Sequence, residues 1–125
     1  MSEYSKTAND EVSVIVQIED REGLKNIDEI LSLPGVDMVA TGRNDLSQAL
    51  GIPGLNTHPD VLAAEEMVID KALAHDKIPT LLVKSLPRIQ QLRNKGVHCF
   101  TIARDDGTLY SSLQKALQDA KSVSL

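Results

Sequence analysis

The sequence predicts an α/β fold of four strand–helix repeats with parallel strands. Short apolar runs of strand length alternate strictly with segments of helical spacing, and no low-complexity stretch or internal linker interrupts them. Such alternation is typical of parallel sheets, in which each helix returns the chain to the next strand. Two architectures satisfy the pattern: a small open doubly wound sheet, or part of an eight-stranded barrel, which is about 250 residues long when whole.

The first repeat is predicted most sharply. Residues 1–11 are polar and lack periodicity, so we expect a flexible lead-in there, followed by the domain proper over residues 12–125. Residues 12–18 form the first predicted strand, whose unbroken apolar centre is typical of a strand buried on both faces. A helix is predicted over residues 21–33, with Asp20 as its N-cap and Pro34–Gly35 at its end.

The later repeats follow from the same signals. A second strand is predicted over residues 37–41, a short helix over 44–50 and a helix that begins near Thr57 and ends near His75. A third strand over residues 79–83, a helix from 85 to 96, a fourth strand over 97–103 and a last helix complete the chain.

Composition restricts the function. The 125 residues carry a net charge of −5, which argues against nucleic acid and anionic membranes as partners. No apolar run has the length of a membrane span, and the N-terminal segment lacks the apolar run of a signal peptide. Cys99 is alone, so it has no partner for an internal disulfide. These features predict a cytoplasmic protein.

Two carboxylates follow neighbouring predicted strands. Glu19 comes directly after the first strand, and Asp45 follows the glycine turn after the second. Parallel strands joined by a crossover end at the same edge of the sheet, about 4.8 Å apart, so we expect the two side chains to lie side by side. Two such close carboxylates repel unless one is protonated or a cation lies between them. Mg²⁺ takes one or two protein carboxylates together with water and substrate oxygens.

Several short motifs occur in one order along the chain. They are Val-Gln-Ile-Glu ending at residue 19, Leu-Pro-Gly-Val-Asp ending at 37, Gly-Arg-Asn-Asp-Leu-Ser ending at 47, Leu-Gly-Ile-Pro-Gly ending at 54, and His-Pro at 58–59. With these motifs the chain resembles the HpcH/HpaI aldolase family, metal-dependent aldolases that act on pyruvate and related 2-oxo acids. The resemblance extends from about Ala8 to the last helix.

The resemblance implies a site as well as a fold. The fold would be the TIM barrel of eight strand–helix pairs, of which this chain matches the second half. Glu19 and Asp45 would hold Mg²⁺ or Mn²⁺, which stabilises the pyruvate enolate as a Lewis acid. Gln17 would be a catalytic residue that reaches the pyruvate end of the substrate. The backbone N–H groups that would bind the substrate carboxylate belong to Gly42, Arg43, Asn44 and Asp45, in a turn that leads into a helix N-terminus.

The chain also departs from the family. The family's first half supplies a catalytic histidine and a carboxylate-facing arginine, and neither has a counterpart here. Arg43 stands where the family more often has a small residue or proline, so its side chain would contact either the substrate or solvent. A half-barrel exposes two strand edges and an apolar interior, so we expect a homo-oligomer or a partner half-barrel.

The remaining polar and reactive side chains have ordinary explanations. We expect Ser47 to cap the short helix, His58 to start a helix, His75 and His98 to lie on the surface or in a strand, and Cys99 to be buried. Nothing near Lys84 indicates a Schiff base, and the Arg104-Asp105-Asp106 turn lies at the same edge as the two carboxylates.

Three functions are therefore open. The first is a carbon–carbon lyase of the pyruvate-enolate type that becomes competent on assembly. The second is a non-catalytic module that binds metal or a 2-oxo acid, or a partner protein. The third is a receiver-like phosphoacceptor domain, suggested by Glu19, Asp20 and Lys84. It is disfavoured because the third strand does not end in an aspartate.

Overall fold

A computed structural model describes residues 4–123 and contains one parallel sheet of four strands. The strands are β1 (Ile15–Ile18), β2 (Met38–Thr41), β3 (Ile78–Leu82) and β4 (Cys99–Thr101). The helices are α1 (Tyr4–Thr7), α2 (Arg21–Lys25), α3 (Ile27–Leu31), α4 (Arg43–Ala49), α5 (Pro59–Ala74), α6 (Leu86–Lys95) and α7 (Asp105–Ser122), with a 3-10 turn at Ala8–Asp10. The predicted α/β fold of four strand–helix repeats is confirmed.

The strands lie in the sheet in the order of the sequence, β1-β2-β3-β4, and all three pairings are parallel. A doubly wound sheet places its first strand inside the sheet and changes direction beside it, as in the flavodoxin-like order 2-1-3-4-5. The observed order contains no such reversal. It excludes the doubly wound alternative, and the receiver-like domain with it, and it is the order of consecutive strands in a barrel.

One face of the sheet packs against the helices and forms the core. Near β1 and β2 the buried residues are Ile18, Ile27, Leu31, Val39, Val68 and Ala72. Near β3 and β4 they are Ile69, Leu81, Val83, Leu92 and Val97. The long helix α5 supplies Val68 to the first cluster and Ile69 to the second, so it joins them into one layer behind the sheet.

The opposite face of the sheet is open. Parallel pairing aligns Ile15, Met38 and Ile78 in one row, and Ile15 and Ile78 are 54% and 47% exposed. The next row on this face is Gln17, Ala40 and Thr80. The expectation that the first strand is buried on both faces is therefore wrong for this chain, because helices cover only one side.

Local signals place most helix ends. Asp20 caps α2 as expected, since its carboxylate accepts a hydrogen bond from Gly23 N at 2.6 Å. His58 rather than Thr57 caps α5, with its Nδ1 accepting from Asp60 N at 3.3 Å. Gly96 ends α6 at φ +105, a left-handed conformation that suits glycine. The structure puts the helix expected over residues 21–33 into two pieces, which meet at Asn26.

The two ends of the chain differ from expectation. The lead-in expected over residues 1–11 is helical at Tyr4–Thr7 and Ala8–Asp10, while residues 1–3 lie outside the described part. Its flexibility stays a prediction. The last helix, α7, is formed as expected, but all of its residues are exposed and it adds nothing to the core. Residues 124–125, the end of the domain expected over 12–125, also lie outside the described part.

Candidate active site

The structure brings Glu19 and Asp45 to the same edge of the sheet. Ile18 pairs with Thr41 at the ends of β1 and β2, so the residues that follow, Glu19 and Gly42, leave the sheet side by side. Gly42 N donates a hydrogen bond to Ile18 O at 3.3 Å, which continues the pairing beyond the strands. Asp45 lies in the first turn of α4, which begins directly after Gly42.

Gly42 lies at the centre of this group. A β-carbon on Gly42 would be 3.0 Å from Glu19 Oε2, 3.1 Å from Asp45 Oδ2 and 2.8 Å from Gln17 Nε2. The φ of Gly42 is −102°, which any residue can adopt, so it is space that favours glycine here. Two carboxylate oxygens and one amide nitrogen therefore surround the space that a β-carbon at position 42 would fill, and glycine leaves this space open.

Gln17 contributes to the arrangement through Glu19. Its Nε2 donates a hydrogen bond to Glu19 Oε2 at 2.5 Å. The contact holds the Glu19 carboxylate on the open face of the sheet, where Gln17 also lies. Glu19 and Asp45 are both exposed, so a cation between them would keep room for water or substrate oxygens.

The donor set fits a hard divalent cation. Among residues 4–123, no group of three or more His, Cys, Asp or Glu side chains is placed to enclose a metal. A closed structural site of the zinc type is therefore not built from the described residues. Mg²⁺ and Mn²⁺ prefer oxygen ligands, and Mg²⁺ is commonly bound through one or two carboxylates with the remaining positions left to water and substrate.

The first turn of α4 presents backbone donors beside the carboxylates. Gly42 is the N-cap residue and makes no side-chain capping bond, while its carbonyl accepts from Leu46 N at 2.8 Å. The N–H groups of Arg43, Asn44 and Asp45 are therefore the first helical amides, which have no acceptor within the helix. They lie next to the acidic pair. The N–H of Gly42, which the resemblance also assigned to the substrate carboxylate, instead donates to Ile18 O.

Helix α4 is held in place at several points. Arg21 donates to the carbonyl oxygens of Ala49 and Leu50, at 2.6 and 3.0 Å, and so binds the C-terminal end of the helix. Ser47 is fully buried. Its hydroxyl donates to Asn44 O at 2.6 Å and accepts from Gly54 N at 3.2 Å. Ser47 thus joins α4 to the following loop rather than capping the helix start.

Asn44 has a partner that the sequence did not reveal. Asn56 Nδ2 donates to Asn44 Oδ1 at 2.7 Å, and both residues line the same cavity. Asn56 lies in a loop without periodicity, so no sequence pattern indicated a role for it. The contact turns the Asn44 side chain toward the loop and leaves its backbone N–H in the first turn of α4.

The Arg43 side chain has a protein partner that the sequence did not reveal. It forms a two-pronged ion pair with Glu65 of α5: Nε donates to Oε2 at 2.7 Å, and Nη2 donates to Oε1 at 2.5 Å. This hydrogen bonding with Glu65 raises the pKa of Arg43 above its ordinary value. The guanidinium is therefore engaged by Glu65, while the side chain stays about one-third exposed and lines the cavity described below. Glu65 was visible in the sequence only as a carboxylate on the apolar side of a helix.

A cavity of about 660 Å³ on the open face is lined by Gln17, the Gly42 turn and Asp45. Glu19 is not among its lining residues and adjoins it through the hydrogen bond from Gln17. Acidic and amide side chains line it from β1 and the α4 turn, and basic side chains line it from beyond β3 and β4. Its lining includes Gln17, Asp45, Asn56, Lys84 and Arg104. The expectation that the turn at residue 104 reaches the same edge is met by Arg104, which also pairs with Asp106 at 2.7 Å.

The other candidate nucleophiles and bases lie elsewhere. No histidine is among the described residues that line the cavity. His75 contacts Asp28 on the helical side, with Nε2 and Oδ1 2.9 Å apart, and His98 is exposed. Cys99 is half-buried rather than buried.

No helix in the described part of the chain is long and apolar enough to cross a membrane.

A parallel sheet in sequence order, with polar side chains gathered at its carboxyl edge, defines a protein of the (β/α)-barrel class, whose active sites lie at that edge. Comparison with known proteins agrees. Residues 2–112 match the family model described as HpcH/HpaI aldolase/citrate lyase. The chain belongs to the HpcH/HpaI aldolase/citrate lyase family.

The chain is similar in sequence and structure to several named proteins. The chain is 31% identical over 115 residues to a 5-keto-4-deoxy-D-glucarate aldolase of Shigella boydii, covering 92% of this chain and 45% of that protein. Among solved structures, citrate synthase SbnG superposes with a TM-score of 0.87 at 34% identity, over 93% of this chain and 47% of the other. A family member from Burkholderia cenocepacia gives a TM-score of 0.81 at 32% identity, over 95% and 46%. The chain thus spans about half the length of these relatives.

Proposed function

We propose that this chain is one half of a metal-dependent carbon–carbon lyase of the pyruvate-enolate type, which acts on 2-oxo acids once a second half-barrel completes it. The observation that carries the proposal is the convergence of Glu19 Oε2 and Asp45 Oδ2 on one point beside Gly42. Family membership supports the lyase class, and the name of the aldolase relative supports a small keto-acid substrate.

In this proposal Glu19 and Asp45 hold Mg²⁺ or Mn²⁺ at the carboxyl edge of the sheet. A bound divalent cation supplies Lewis-acid stabilisation of the negative charge that develops on the 2-oxo oxygen. Gln17 orients the Glu19 carboxylate through its hydrogen bond of 2.5 Å. Its amide also lines the cavity, where it would meet the pyruvate end of the substrate.

The first turn of α4 would bind the substrate carboxylate. The N–H groups of Arg43, Asn44 and Asp45 are free of intrahelical acceptors and lie beside the acidic pair. Binding at these amides would hold the substrate with its 2-oxo group toward Glu19 and Asp45. That orientation places the charge of the enolate next to the cation site.

Proton transfer would fall to groups outside this chain. No described residue of the cavity is a histidine, and the carboxylates Glu19 and Asp45 are assigned to the cation. We therefore assign the general acid–base step to the second half-barrel. A separate chain would bring an acid–base residue that this chain lacks, whereas a second copy would have to supply one from outside this cavity. Closure of either over Ile15 and Ile78 would also bury the open face.

Exchange of the pyruvate methyl protons for deuterium tests the proposal, because it reports enolate formation without an aldehyde. NMR would follow the exchange in the presence of Mg²⁺, with protein-free and EDTA-treated samples as blanks. We expect exchange by the assembled protein, lost in Glu19→Gln and Asp45→Asn and kept in Glu22→Gln, a nearby exposed carboxylate on α2.

Binding of Mn²⁺, followed by electron paramagnetic resonance, separates this proposal from the non-catalytic module. Mn²⁺ binding that depends on Glu19 and Asp45, without exchange under any assembled condition, would favour the binding module. Mn²⁺ binding that is absent from the native protein, or unchanged in both variants, would overturn the metal site and the lyase mechanism built on it.

A further inference from the structure

Glu65 is a buried carboxylate in a layer that is otherwise apolar. It is only 4% exposed and lies on α5 between Val61 and Val68, which are both buried. An unpaired charge at such a place would be costly, yet Glu65 is fully partnered. Its closest partners are Arg43 from α4 and Thr41 from the end of β2, whose hydroxyl donates to Glu65 Oε2 at 3.2 Å.

The Arg43–Glu65 contact has the geometry that fixes orientation most firmly. Two parallel N–H···O bonds between a guanidinium and a carboxylate leave neither group free to rotate. Arg88 of α6 adds a third charge, with its Nη2 3.5 Å from Glu65 Oε1. Glu65 is buried, while the Arg43 side chain is 32% exposed. Replacing a buried ion pair with apolar side chains is often neutral or stabilising, so stability alone does not account for this contact.

The position of Arg43 shows that the Arg43–Glu65 pair holds the first turn of α4. Arg43 is the first residue of α4, directly after Gly42 and two residues before Asp45. Arg21 binds the other end of the same helix through two carbonyl groups. Because α4 has only seven residues, fixing both of its ends fixes the backbone position from which the Asp45 side chain extends.

We propose that the Arg43–Glu65 pair is a latch that holds the first turn of α4 against α5 and so keeps the Asp45 carboxylate beside Glu19. Arg43 is then a positioning residue for the cation site. Because Glu65 engages its guanidinium, Arg43 does not bind the substrate carboxylate through its side chain. The inference rests on the proposed function in one respect only, which is that Asp45 binds a divalent cation.

The latch is tested with Arg43→Met, Glu65→Leu and the double variant, and with Lys71→Met as the matched control. Lys71 also forms an ion pair from α5, with Asp28 at 2.7 Å, but it lies away from the turn. Three properties are measured: Mn²⁺ affinity by electron paramagnetic resonance, amide hydrogen exchange over residues 42–50 in metal-free protein, and unfolding by urea.

We expect Mn²⁺ affinity to fall about 10- to 100-fold in both single variants, the usual effect of removing a group that orients a metal ligand. The double variant separates positioning from stability. It should regain resistance to urea, since no charge is left buried alone, while its Mn²⁺ affinity stays low. Amide exchange over residues 42–50 should rise in all three variants and not in Lys71→Met.

A double variant that binds Mn²⁺ as tightly as the native chain, while folded, would overturn the latch. Unchanged exchange over residues 42–50 would overturn it as well. If the native chain binds no Mn²⁺, the proposed metal site fails, whereas the exchange measurement still decides whether the pair holds the turn. Arg43→Lys keeps the charge but loses the two-pronged contact, so its affinity should lie between the native and Arg43→Met values.

Discussion

The two faces of the sheet differ sharply. On the helical face, Leu31, Val39 and Leu92 are almost fully buried, and α5 joins the packing behind all the strands into one layer. On the other face, Ile15, Ile78 and Leu82 are about half exposed although they belong to the strands themselves. The polar groups of the candidate site lie at the carboxyl edge of this open face.

The difference separates what stabilises the chain from what is left for function. The helical face is already packed, so the chain can hold the acidic pair in place by itself. The open face offers apolar strand residues of the kind that fill the inside of a barrel in layers. We infer that assembly adds a second core on this face and completes the cavity at the same time.

The largest expected effect is a loss of core packing on the helical face. Leu31→Ala should lower the free energy of unfolding by about 2–5 kcal/mol, because Leu31 is fully buried. Leu82→Ala on the open face should cost about 1 kcal/mol or less in dilute protein. Urea denaturation of both variants would measure the difference.

Protein concentration sharpens this first comparison. If assembly covers the open face, the cost of Leu82→Ala should grow as concentration rises, while the cost of Leu31→Ala should not. Equal costs for the two variants in dilute protein would contradict the contrast between the faces.

The second effect concerns assembly. Ile78→Lys places a charge in the apolar row of the open face and should weaken self-association or pairing with a second half by about tenfold or more. Leu33→Lys is the matched control, since Leu33 is 55% exposed but follows α3 on the helical side. Sedimentation velocity over a range of concentrations measures both. A native chain that stays monomeric at high concentration, with no second half present, would rule out self-assembly.

The third effect concerns the proposed cation site beside Gly42, at the carboxyl edge of the sheet. Gly42→Ala would place a methyl group against Gln17, Glu19 and Asp45, and we expect Mn²⁺ affinity to fall by about tenfold or more. Gly35→Ala is the control, because nothing lies within 4 Å of a β-carbon there. Titration with Mn²⁺ decides the result. Equal affinity in both variants would show that the cation does not bind beside Gly42.

The smallest effect is a pH dependence on the helical side. The hydrogen bond from Lys71, with a second from His75, lowers the pKa of Asp28 below its ordinary value of 3.8. A lowered folded-state pKa stabilises the fold above the unfolded-state pKa, and this stabilisation is lost as pH falls through the folded-state value. Asp28→Asn should therefore destabilise slightly at neutral pH and flatten the acid limb of the stability profile, as thermal unfolding between pH 2 and about 7 would show. An unchanged acid limb would contradict this assignment.

Much of the fold and part of the site follow from local patterns. The alternation of apolar runs and helical segments predicts the strands, and parallel crossover connections predict that Glu19 and the Gly42 turn meet at one edge. Both results depend on the near sequence and on the geometry of one strand–helix–strand unit, which is the same wherever it occurs. The family resemblance extends these predictions to Gln17 and the turn amides, whose roles stay proposals.

The remainder depends on contacts between distant segments. The sequence-order sheet, the open face and the buried Ser47 between α4 and its loop were decided by packing. Arg43 shows the reason best. Its position in the turn was readable, but its direction depends on Glu65, which lies 22 residues away on another helix.

The sequence by itself determined the class of fold, the family and the two carboxylates of the candidate site. The fold class and the two carboxylates depend on residue type and spacing within single repeats, and the family depends on short motifs that occur in one order along the chain. Only the tertiary structure decided which face of the sheet is covered and how the acidic turn is held. The burial of Glu65 and the exposure of Ile15 depend on neighbours from many parts of the chain, so no local sequence pattern predicts them.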